Sequence, residues 1–227
     1  MRDPTRLGLG VLLTALAGWV DAIGFISLGG FYVSFMSGNT TQLGIGLMRF
    51  DAGLVAVPAA LLACFVFGAF VATIASNVAG RWSLPATLLV EGLFLASALL
   101  LSVFAIPIVS PTGPLAIAMG TQNAALRTDR GHRIGGTFVT GTVFGLGETL
   151  ALWCLRRAGP RPALRHAMGW AGLAAGAAAG TWAFSAHGLL ALTVPAGCVL
   201  SLAGITGLTT LTAGGGPATE ERRDNAS

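Results

Sequence analysis

Apolar residues do not alternate with polar ones along this chain. They run on, and a helical ruler divides the sequence into eight apolar segments: 7–28, 31–48, 52–78, 84–109, 114–126, 137–155, 167–186 and 189–211. Several approach the roughly 20 residues that a helix needs to cross about 30 Å of hydrocarbon. A closed outer-membrane barrel would read instead as alternating segments of about 10 residues. The pattern therefore predicts an all-α fold, a polytopic helical membrane protein. Two segments are interrupted, the second by Ser37-Gly38-Asn39-Thr40-Thr41-Gln42 and the sixth by Thr140-Gly141-Thr142. A straight lipid-facing helix does not favour such runs, so these two are expected to be broken or re-entrant. Residues 1–213 read as a single transmembrane domain and 214–227, small and charged, as a disordered cytoplasmic tail.

Sliding the chain along itself by about a hundred residues brings out a repeat, one copy over 7–109 and the other over 110–213. Gly18-Trp19-Val20-Asp21-Ala22 falls on Gly120-Thr121-Gln122-Asn123-Ala124, and Phe35-Met36-Ser37-Gly38-Asn39 on Phe138-Val139-Thr140-Gly141-Thr142. The third segments share a stripe of small residues four apart: Ala60, Cys64, Gly68, Ala72 and Ser76 in one copy, Gly172, Gly176 and Gly180 in the other. Stripes of this kind let helix backbones approach closely. They also permit a homodimer.

Composition supports lipid as the main solvent: 54% of the 227 residues are hydrophobic and 10% charged, against about 25% charged in soluble domains. The net charge of +4 comes from thirteen arginines and no lysine. In a membrane protein that balance marks cytoplasmic loops, not nucleic-acid binding. The start superficially resembles a signal peptide, but Asp21 and the lack of a small-residue cleavage site favour a retained first span. If all eight segments spanned, Arg81, Arg127, Arg130 and Arg133 would lie outside. If the second and sixth re-enter, Arg49 alone lies outside. The second arrangement leaves about six spanning helices, three per copy, and an odd number forces the copies into inverted topology. Both termini are then cytoplasmic, in a multi-pass protein of the bacterial plasma membrane. Cys64, Cys154 and Cys198 are too scattered for a metal or redox motif.

The four signatures Gly18-Trp19-Val20-Asp21-Ala22-Ile23-Gly24-Phe25, Phe35-Met36-Ser37-Gly38-Asn39-Thr40, Gly120-Thr121-Gln122-Asn123-Ala124 and Thr137-Phe138-Val139-Thr140-Gly141-Thr142 resemble those of the YoaK-like bacterial membrane proteins, domain of unknown function 1275. The resemblance covers nearly the whole chain and implies a polytopic inner-membrane protein with six spans and no established substrate. Phe35 and Ser37 depart from the His and Thr that the resemblance leads one to expect.

Asp21, late in the first span, is the sharpest candidate for chemistry, because a charge in hydrocarbon costs about 2.5 kcal/mol or more. It reads either as a protonatable or cation-coordinating group or as a cap on a turn near Gly29-Gly30. Ser37, Asn39, Thr40 and Gln42, with Thr140 and Thr142, read either as paired unwound segments meeting at the midplane or as hydroxyls bonded back to their own helices. Gln122, Asn123 and Glu148 could complete a polar cavity. Glu91 is expected to reach toward the cytoplasmic interface. His132, His166 and His187 are isolated, and neither a metal site nor a cofactor is expected.

The reading that follows is a secondary transporter of a small cationic or neutral solute, proton- or cation-coupled. A channel, or a scaffold or sensor subunit, are the alternatives. An enzyme is not expected, since there is neither a nucleophile and base pair nor a cofactor fingerprint. Membrane lipids and an unknown small solute are the expected partners.

Overall fold

The computed structural model describes residues 4–104, 111–125 and 139–214. Within them run α1 (Pro4–Ser27), α2 (Met36–Arg49), α3 (Ala52–Ala79), α4 (Ser83–Val103), α5 (Thr112–Ala125), α6 (Val139–Cys154), α7 (Arg161–His187) and α8 (Thr193–Gly214). Each helix overlaps one of the eight apolar segments. The arginine-rich run 127–133 and the tail expected over 214–227 lie outside the described residues, apart from Gly214, which closes α8.

Three helical stretches are long and apolar enough to cross a membrane: Thr5–Ser27, Ala52–Val103 and Arg161–Ala213. The latter two are each a pair of helices folded at a 3-10 turn, Gly80–Trp82 or Gly188–Leu192. The turns start alike, with Gly80 at φ +54° and Gly188 at φ +58°, which only glycine adopts without strain. Each following helix carries a proline in its first turn, Pro85 and Pro195, where the missing N–H removes no helical bond. The outer surface is apolar: Phe144 is 71% exposed and Trp182 72%. An apolar surface of this extent is the counterpart of a lipid solvent. The protein is a membrane protein.

Because lipid tails are as apolar as leucine, helices here gain little from burying apolar area, and close backbone packing takes over. One such contact occurs twice. A Cβ on Gly18 of α1 would fall on the Leu173 carbonyl oxygen of α7 and close to the Ala177 nitrogen, and one on Gly120 of α5 would fall on the Phe65 carbonyl oxygen of α3 and close to the Ala69 nitrogen. In return, Gly176 of α7 receives the Ala15 carbonyl, and Gly68 of α3 that of Ile117. The helix that opens each half of the sequence thus packs on the third helix of the other half.

Between these pairs α4 lies beside α8, with Gly92 admitting the Leu200 side chain. α2 packs on α3 and α6 on α7. One asymmetry stands out: α5 packs along α4, whereas α1 scarcely touches α8. The sheltered interior contains Leu13, Val20, Leu88, Leu95, Leu115, Met119, Leu192 and Val199.

Candidate functional site

The irregular backbone in the first half lies just before the polar run, not within it. α1 closes two residues past Ser27 with Gly29, φ +66°, Gly30 N–H donating to the Phe25 carbonyl at 2.9 Å and Gly29 N–H to that of Ile26 at 3.5 Å. This is the Schellman arrangement that a left-handed glycine permits. The chain then stays non-helical as far as Phe35, and α2 begins at Met36. Residues 37–42, expected to be unwound, are helical. The glycine pair breaks the helix first, and Gly38 costs too little within a helix to break it again.

Three polar side chains hold this non-helical stretch. Asp21 Oδ1 accepts from the N–H groups of Val33 at 3.0 Å and Ser34 at 2.9 Å. The buried Asn39 takes both backbone groups of one residue, with Oδ1 accepting from Tyr32 N–H at 3.0 Å and Nδ2 donating to the Tyr32 carbonyl at 2.6 Å. Gln42 Nε2 donates to the Gly30 carbonyl at 2.8 Å. Backbone groups without helical partners must be satisfied inside a membrane protein, and these side chains do so. Asp21 therefore performs the cap-like task near Gly29-Gly30. The hydroxyls of Thr40 and Thr41 bond back to the Met36 and Ser37 carbonyls at 2.8 and 3.1 Å, and Ser37 is exposed.

Different tasks predict different sensitivities. Gln42→Leu should lower stability by about 1 kcal/mol, the usual net value of one such hydrogen bond, while Thr40→Val should be nearly neutral because its bond is local. Thermal unfolding of both variants in detergent micelles measures the contrast.

The second half does not mirror this site within the described residues. α6 starts at Val139, with Thr140 exposed and Thr142 partly buried on its first turns, and Glu148 is exposed on the same helix. Thr137 and Phe138 lie outside the described residues. Among the described residues α2 lies on α3 and α6 on α7, while α1 pairs with α7 and α3 with α5.

A different polar group occupies the interior. Glu91 of α4 is 0% exposed and Gln122 of α5 is 1% exposed. The Gln122 amide faces Glu91, but no atom reaches hydrogen-bond geometry with either carboxylate oxygen, and Gln122 Oε1 also has no partner. Gln122 Nε2 donates to the Leu13 carbonyl of α1 at 2.9 Å, which sets the orientation of the amide. Asn123 donates to the Met119 carbonyl of its own helix at 2.9 Å. Glu91 corrects the expectation that it reaches the interface: helix α5 covers it. The sequence signal was present, since an acid nine positions into an apolar helix is a functional candidate by default. No group of three or more potential metal ligands occurs among the described residues.

The model of the family "Protein of unknown function (DUF1275)" matches residues 9–205. A UPF0700 transmembrane protein of Rhizobium meliloti (strain 1021) is 34% identical over 204 residues, covering 88% of this chain and 86% of that protein. No solved structure matches the chain.

Proposed function

The chain belongs to the DUF1275 family of transmembrane proteins, and on that premise we propose that it is a secondary transporter of a small cationic or neutral solute, coupled to a proton or cation. The observation that carries this reading is the doubled α1–α7 and α5–α3 contact. Interlocked halves of this kind are the architecture in which one repeat rocks against the other. In this reading the repeats are inverted, six helices cross a bacterial plasma membrane, α2 and α6 enter without crossing, and both termini face the cytoplasm. The tight α4–α5 seam and the loose α1–α8 seam are then equivalent gates caught in opposite states.

Acids in the membrane interior, Glu91 among them, favour a cationic or neutral solute over an anion. The test is a panel of small amines, polyols and neutral amino acids, screened by thermal stabilisation of the purified protein. Compounds that stabilise it are then followed as radiolabelled uptake into proteoliposomes with and without an imposed pH gradient. One chemical class should stabilise the protein and show saturable, gradient-dependent uptake. Flux that rises linearly with concentration would identify a pore, and no flux for any stabilising compound would remove the transport reading.

A further inference from the structure

We infer that Glu91 and Gln122 form a proton-binding site in the membrane interior, closed by the α4–α5 seam. Three oxygens are buried inside the bundle without hydrogen-bond partners: Glu91 Oε1, Glu91 Oε2 and Gln122 Oε1. An ionised carboxylate is an acceptor only, and a buried charged acceptor left without a donor is costly. One N–H of the Gln122 amide is held by the Leu13 carbonyl, and its second N–H faces Glu91 without forming a hydrogen bond to it. A proton on Glu91 resolves the conflict. It removes the charge from hydrocarbon.

Other ionisable groups do not take the proton's place. The elements packed against α4 are α3, α5, α8 and the two 3-10 turns, and their ionisable side chains among the described residues are Cys64, Cys198 and Arg81. Arg81 stands ten residues before Glu91, about 15 Å along a helix at 1.5 Å per residue. Among the described residues of these elements no carboxylate competes with Glu91, and no cation other than Arg81 is present.

The way out for the proton rests on the transport reading above. In the repeat alignment α4 and α5 correspond to α8 and α1, and the latter two barely touch. When the halves exchange roles, α4 and α5 separate as α8 and α1 are separated here. Water then reaches Glu91, which releases its proton as hydronium and keeps the carboxylate until the seam closes on a new one.

Infrared difference spectroscopy of the full-length protein in lipid tests the site without a substrate. A protonated-carboxylic-acid carbonyl band should be present at neutral pH, vanish in Glu91→Gln and change frequency in Gln122→Leu, which removes the neighbouring amide. In D2O the wild-type band should shift over time as the seam opens. Absence of the band in folded protein, or a band unmoved by Gln122→Leu, overturns the site, and a band that never responds to D2O overturns its opening. Stabilisation by sodium chloride over choline chloride that is lost in Glu91→Gln, without the band, would put a metal cation there and overturn the proton. A band with no saturable uptake sinks transport alone, and saturable uptake with no band sinks this site alone.

Discussion

Gly176→Val is expected to unfold the protein or remove it from the solubilised fraction, with Gly68→Val doing the same from the other half. A Cβ on Gly176 falls on the Ala15 carbonyl oxygen, with the Ala15 Cα 2.9 Å away, and one on Gly68 falls on the Ile117 carbonyl oxygen, with the Ile117 Cα also 2.9 Å away. The obstacles are backbone atoms of another helix, which cannot rotate aside as a side chain can. Overpacking a core usually costs about 1–3 kcal/mol, and a backbone obstacle places these variants at or above the top of that range. Total stability of a domain is only about 5–15 kcal/mol, so the loss should be visible as a collapsed melting temperature or as aggregation. Gly197→Ala and Gly204→Ala are the matched controls, because a Cβ at either meets nothing within 4 Å. These should raise stability by up to about 1 kcal/mol, the helix-propensity difference between the two residues. Size-exclusion profiles and thermal unfolding of the four variants check both signs. Equal behaviour of the buried and open positions would disprove the packing argument.

Asn39→Ala should be the most damaging single change in the non-helical stretch. It strands Tyr32 N–H and Tyr32 C=O together, and each buried unpaired group costs roughly 1–3 kcal/mol, so the pair amounts to roughly 2–6 kcal/mol. Asn39→Asp retains an acceptor for the Tyr32 N–H but loses the donor to its carbonyl, and should fall between wild type and alanine. Hydrogen exchange at the Tyr32 amide should accelerate in Asn39→Ala more than exchange in α7, since the opening is local. If the amide stays as protected as in wild type, Asn39 does not hold the stretch.

The positions of these residues were legible in the sequence, but their tasks were only partly so. Asp21, Asn39 and Gln42 stood out as polar groups in apolar segments, and the cap-like reading of Asp21 could be framed because Gly29-Gly30 follows it. Asn39 could not be assigned to Tyr32 from the sequence, because the pairing depends on the chain turning back between α1 and α2. The small-residue stripes identified Gly68, Gly176 and Gly180 as points of close approach. They did not name the partners, since a glycine face accepts any backbone that the topology delivers.

Glu91 shows the limit most sharply. Its position along α4 suited an interface as well as an interior, and depth along a helix is a one-dimensional quantity. Burial depends on what lies across from it, here Gln122 of α5, anchored in turn to Leu13 of α1.

By itself, then, the sequence determined the solvent, the helical class, the eight segments and the recurrence of two signatures, because hydrophobicity, helical period and glycine placement act locally along the chain. Only the tertiary structure decided that the halves interlock, that 37–42 remains helical while the stretch before it does not, and that an acid of one half and an amide of the other meet in the interior. Those outcomes depend on contacts between residues far apart in the chain, and such contacts leave no local pattern to read.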